Sequence, residues 1–151
     1  MPKDPNIRFL NLVHQVFDPV CTKYGFIIQE EEKWIQPEKA VFARKGDIEL
    51  EFRLGSSSLF WDFSLEIKLS GALGEKATSD PKYRGLGVAA IAGCLDPNYK
   101  KNLKAPQTED ELRRKMESDK DELLKYCEDI LLGNVSNWQK VVDCLKAKSR
   151  K

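Results

Sequence analysis

Apolar positions along the chain follow two different periods, and the switch between them marks the elements. Over residues 5–24, Ile7, Leu10, Val13, Phe17, Val20 and Tyr24 recur at helical steps, which puts them on one face of a helix. Asp4 suits its cap and Pro5 its first turn. Pro19 lies inside the pattern, and its missing backbone donor predicts a kink or a split at Asp18. Gly25 is the stop signal.

Period two then takes over. Residues 26–30 form a short β-rich run, with 33–36 expected to pair with it, and 40–44 is the next strand. Lys45-Gly46-Asp47 reads as a turn. In 48–54, Ile48, Leu50, Phe52 and Leu54 share one face and Glu49, Glu51 and Arg53 the other. After the turn at Gly55-Ser56-Ser57-Ser58, residues 59–69 alternate most cleanly. Leu59, Trp61, Phe63, Leu65, Ile67 and Leu69 point one way; Phe60, Asp62, Ser64, Glu66 and Lys68 point the other. Short connections imply an antiparallel meander with one dry face.

Residues 70–105 open with a Gly- and charge-rich loop over 71–84, then a run of small apolar residues over 85–95 that predicts a short buried helix ended by Asp96-Pro97-Asn98. Two helices close the chain. Thr108 and Glu111 have capping-box spacing, and Leu112, Met116, Leu123, Cys127, Ile130 and Leu131 supply an apolar face. The polar run 117–122 predicts a break near Ser118. Asn134 and Ser136 offer caps for a last helix with Trp138, Val141, Val142 and Leu145 on its face. The basic tail 146–151 is expected to fray. The order predicts one α+β domain over residues 1–151. Its antiparallel meander of about four strands is packed on one face by the N-terminal helix and the C-terminal helices.

Composition narrows the classes. With 151 residues the chain can bury a core without a metal or disulfide staple. Its net charge of +1 supplies no global field for nucleic acid. No apolar run approaches a membrane span, and the polar start lacks a signal core, so a cytoplasmic protein with no membrane partner is expected. Cys21, Cys94, Cys127 and Cys144 form no Cys-x-x-Cys pair and sit in apolar contexts, which predicts buried, reduced thiols.

The chemistry-bearing residues read modestly. Gly85-x-Gly87-x-x-Ala90 has dinucleotide-fingerprint spacing, but Asp80-Pro81-Lys82-Tyr83-Arg84 before it is no buried parallel strand; close packing explains the glycines better. His14, the only histidine, has a single cysteine, Cys21, at helical reach and makes no site with it alone. Ser56 to Ser58 is turn chemistry. The acids Glu30-Glu31-Glu32, Glu49, Glu51, Asp62 and Glu66 could pair for hydrolysis or hold a cation. Arg53 and Lys68 share the strand face with them, and cross-strand ion pairs are the simpler account. The lysines at 100, 101, 104, 146, 148 and 151, with Arg150, have no aromatic platform among them and read as a solvated face. Phe60 on the polar strand face, and Trp34 beside a charge run, are aromatic anchors of the kind a protein partner uses. The residues imply no cofactor, metal or catalytic set.

The leading helix ending in Lys23-Tyr24-Gly25-Phe26, the strand 59–69 and the closing Leu123-Leu124-Lys125-Tyr126-Cys127-Glu128-Asp129-Ile130-Leu131-Leu132-Gly133-Asn134 with Trp138 resemble small uncharacterised bacterial proteins of the immunity type, which accompany polymorphic toxins. The resemblance implies a non-enzymatic protein that blocks a partner by surface complementarity; it carries over no binding residue. The reading is therefore a protein-binding module, monomeric or weakly dimeric. Its contact surface is expected on Glu49, Glu51, Arg53, Phe60, Asp62, Glu66 and Lys68, with Trp34. The alternative is an enzyme or small-ligand-binding protein with a cleft between the sheet and residues 70–105.

Overall fold

The computed structural model of the chain describes residues 9–35, 38–56, 61–100 and 105–149. Helix α1 (Phe9–Tyr24) is followed by the short strands β1 (Ile27–Ile28) and β2 (Lys33–Ile35). Three long strands come next: β3 (Glu38–Lys45), β4 (Ile48–Ser56) and β5 (Trp61–Leu69). Helix α2 (Gly71–Ala77), a 3-10 turn at Pro81–Tyr83, strand β6 (Gly85–Gly87) and helix α3 (Val88–Leu95) lead to α4 (Glu109–Leu131) and α5 (Trp138–Ser149).

The fold is α+β, with helices packed on an antiparallel sheet. The sheet order is β1-β3-β4-β5-β6, and β2 also pairs with β3. The long hairpins β3–β4 and β4–β5 are the expected meander. Strand β1 does not pair with β2: Ile27 lies opposite Arg44, and Lys33 lies opposite Ala40, so both short strands line up along β3. The seven-residue register of β3 against β4 leaves room for both on its other edge.

Side-chain alternation divides the sheet into two faces. Val41, Phe52 and Leu65 form one row across it, and Ala43, Leu50, Ile67 and Leu86 the next; all are buried. Helix α1 lays Phe9 and Phe17 on this face. The Phe17 ring lies 4.6 Å from that of Phe52 and 6.3 Å from that of Phe63. Leu112, Met116, Leu123 and Cys127 of α4 join the same core. Trp61, Phe63, Leu65, Ile67 and Leu69 are buried on β5, as the alternation requires.

Four local expectations change. Helix α1 runs through Pro19 without splitting: Val16, Phe17, Val20 and Cys21 on either side are all buried, and that packing holds the helical path despite the lost donor. Helix α4 does not break at Ser118. Its polar run is closed by ion pairs between Lys115 and Asp119 at 2.6 Å and between Lys120 and Glu117 at 2.6 Å. Residues 71–84 are not a loop, because α2 forms there with help from afar. Ser70 makes no side-chain cap; instead Asp47, in the β3–β4 turn, accepts from the Leu73 N–H at 3.3 Å. The helix expected over 85–95 starts only at Val88, because Gly85, Leu86 and Gly87 pair with Lys68, Ile67 and Glu66 as an edge strand.

The cysteines divide into two kinds. Cys21 and Cys127 are free and buried, and burial pushes each thiol up to about 12. Cys94 and Cys144 are joined in a disulfide between α3 and α5, so the expectation of four reduced thiols fails for this pair. Nothing in their spacing of 50 residues marks them as neighbours; the packing of α5 on α3 does. Among the described residues no helix is long and apolar enough to cross a membrane.

Candidate functional site

The face of the sheet turned away from the helices carries charge in ordered rows. One row runs Phe42, Glu51, Glu66, Gly87 across β3, β4, β5 and β6; the next runs Arg44, Glu49, Lys68, Gly85. The backbone register places these side chains, because every second residue of each strand must face the helices. Arg44 Nε donates to Glu49 at 2.6 Å. Arg53 Nη2 donates to Glu51 at 3.1 Å, and Lys68 Nζ lies 3.0 Å from the other oxygen of the same carboxylate. Glu51 is only 1% exposed, sealed beneath its two cations.

Glu51 and Glu66 stand directly opposite one another. Two carboxylates directly opposite each other on neighbouring strands do not both ionise freely. Burial works against ionising Glu51, but hydrogen bonds from Arg53, Lys68 and Glu66 outweigh it and hold Glu51 below the usual carboxylate range. Burial and the hydrogen bond to Glu51 push Glu66 above that range. The two carboxyls are therefore pushed apart, Glu51 toward its ionised form and Glu66 toward its protonated form.

Glu66 also reaches a cleft of about 270 Å3 at the edge of β5. Strand β6 covers β5 only from Glu66 to Lys68, so the stretch around Phe63 to Leu65 is left for other elements to wall off. The first turn of α3 supplies one wall. Tyr99, Lys115, Asp119 and Glu122 supply the other. Tyr99 donates to Glu122 at 2.9 Å, and burial together with that acceptor raises the phenol above its ordinary range. Lys115 donates to both oxygens of the buried Asp119 at 2.6 Å. The cleft thus joins an apolar wall, including Phe63, Leu65 and Val88, to fixed donors and acceptors, and opens beside the charged rows.

The sequence-predicted site residues fare unequally. Glu49, Glu51, Arg53, Glu66 and Lys68 lie together on the outer face, and Asp62 is exposed on β5 of the same face. Phe60 lies outside the described residues, as does the side chain of Trp34. Phe42, which sequence reasoning left aside, is the aromatic of the Glu51–Glu66 row, and the Lys33 ammonium sits 5.4 Å from its ring centre. Its non-alternating surroundings, Ala40-Val41-Phe42-Ala43, concealed its facing. The cleft residues on α4 were also missed. Their signal was the polar run that reads as a helix break.

Other acidic residues have structural work. Glu30 and Asp18 flank His14 at 3.1 and 2.8 Å. Burial alone would lower the imidazole, but these two acceptors raise it above its ordinary value. Glu32 accepts from the Leu10 N–H at 2.6 Å and so occupies the start of α1, where backbone donors lack partners. Among the described residues no group of three or more His, Cys, Asp or Glu side chains is arranged to hold a metal ion. Compared with known proteins, the chain matches no protein-family model, no curated protein and no solved structure.

Proposed function

We propose that this chain is a non-enzymatic protein-binding module, of the bacterial immunity or accessory type, that engages its partner with the outer face of the sheet. One observation carries the reading: the face left uncovered by helices presents fixed charges of both signs and opens, at Glu66, into a cleft able to take one partner side chain. Arranged charges steer and select a protein, and a cleft beside them supplies the desolvated contact. On this reading the protein acts in the cytoplasm as a monomer or weak dimer and uses neither nucleic acid nor a cofactor.

Photocrosslinking in cells tests it. A crosslinker at Asp62 or Ser64 should capture one defined protein, and the same group at Asp143 on α5 should not. Charge reversal at both Arg44 and Glu49 should weaken that capture at least about tenfold. Equal capture from both faces, or capture insensitive to the reversal, removes the outer face from consideration.

The cleft itself supports a second reading, a small polar ligand held between Glu66, Tyr99 and Lys115. A screen of small metabolites by thermal shift distinguishes the two. A saturable stabilisation abolished by Ser64→Trp, which fills the cleft mouth, favours the ligand; crosslinking to a protein with no such stabiliser favours the module.

A further inference from the structure

Helix α5 is held unevenly along its length. Its first half is anchored: Trp138, Val141 and Val142 are buried, and the Trp138 indole N–H donates to the Tyr83 carbonyl at 2.8 Å. From Asp143 to Ser149 no side chain is fully buried. That stretch is fastened by the Cys144 bond to Cys94, by the partly buried Leu145, and by a Lys146–Asp80 ion pair at 3.3 Å. This partly exposed ion pair, and the Lys146 ammonium 5.2 Å from the Tyr83 ring centre, are weak ties beside a covalent bond. The disulfide is therefore the main tie between the second half of α5 and the segment containing α2, β6 and α3.

The same bond is placed for exchange. Cys94 and Cys144 are both half-buried, so a thiolate from solution can approach. Cys21 and Cys127 are sealed in the core and remain thiols at neutral pH. Their burial in α1 and α4 keeps them from a thiol in solution, so exchange is confined to one pair. The bond lies at the margin of the core: Cys94 is only partly buried against it, while the fully buried residues of α1, α4 and the sheet pack on one another.

We propose that Cys94 and Cys144 form a reversible thiol–disulfide latch, made and broken by exchange with a small-molecule thiol and disulfide of the glutathione class, that fixes or releases the second half of α5. In the closing direction one cysteine thiolate attacks a sulfur of the small disulfide and expels one small thiolate. The second cysteine thiolate then attacks the protein sulfur of the mixed disulfide and expels the other. The S–S bond of the small molecule is broken, the Cys94–Cys144 bond is formed, and two electrons pass from the protein to the small molecule. The two cysteine protons end on the two released thiols. Opening is the reverse. The latch is independent of the partner reading, because it concerns α5 and not the outer face of the sheet.

Hydrogen exchange of the full chain in glutathione buffers of graded ratio, with alkylation and mass measurement to count thiols, tests the latch. The oxidised protein should yield two alkylatable cysteines after denaturation and the reduced protein four. Opening should follow the buffer ratio reversibly. In the reduced form, amides of residues 143–149 should exchange at least about tenfold faster while those of α4 are unchanged. Cys144→Ser should show the fast exchange in every buffer, and Cys94→Ser should match it. A bond that resists an excess of reduced glutathione, exchange over 143–149 that ignores the bond, or loss of protection throughout α4 on reduction would each overturn the proposal.

Discussion

Glu66 bears opposing demands. It is half-buried, faces the buried Glu51 and lines the cleft, so its neutral form is the one the fold favours. A carboxyl whose folded value is raised weakens the fold as pH climbs: above its ordinary value near 4.5 the unfolded chain gives up the proton while the fold retains it. Glu51 acts in the opposite sense. Its folded value is lowered, so its contribution is present above the ordinary value and is lost as pH falls through the folded one. Glu66→Gln keeps a hydrogen-bond donor for Glu51 and removes the titration. The variant should melt at a higher temperature than the parent at neutral pH, and the two should converge below about pH 4, where Glu66 is protonated in both states. Thermal melts across pH 3–8 read this directly; a gap that persists unchanged into acid would mean that packing, and not the titration of Glu66, sets the difference. The alternation in β4 and β5 already places both acids on one face. That they stand opposite one another depends on register, which the sequence of either strand does not state.

At the level of elements, α2 shows how a helix can rest on a distant residue. Its seven residues are too few to be stable alone. Gly71 adopts φ +54°, and a Cβ there would meet Asp47 Oδ1 at 2.9 Å, so the chain enters the helix tight against the β3–β4 turn. Asp47→Ala should cost about 0.5–2 kcal/mol, the range for a lost helix cap. Amide exchange should rise in 71–77 and stay unchanged in 109–131. A uniform rise over the whole chain would instead show that Asp47 holds the hairpin turn. The opposite case is α4, where Thr108 accepts from Glu111 N–H at 3.1 Å as the capping-box spacing foretells. Its far end is closed by a remote residue, since Lys45 donates to the Leu131 carbonyl at 2.6 Å. Local caps are legible in sequence; borrowed ones are not.

Across the whole molecule the described elements share one apolar core that runs from α1 through the sheet to α3, α4 and α5. Trp61 lies in it at 2% exposure, beside the exposed Asp62. Trp61→Ala should destabilise by about 3–5 kcal/mol, the usual range for emptying an aromatic site. Asp62→Ala should stay within about 0.5 kcal/mol, as exposed changes do. Urea melts of the two variants check the facing of β5 directly: comparable losses would place the strand one residue out of register.

The sequence by itself determined which side of each strong element is dry. Helical spacing over α1 and α4 and period two over β4 and β5 are sufficient for that, because burial of one face is a local pattern repeated along the chain. It also determined the α+β class, since amphipathic helices must bury against the open sheet face. Tertiary structure alone decided the rest: β1 and β2 end to end along one edge of β3, Gly85–Gly87 as an edge strand, α2 capped from Asp47, the cleft at Glu66, and the pairing of Cys94 with Cys144. Each of these joins residues far apart along the chain, and their meeting is set by how whole elements pack. No window of local sequence contains that information.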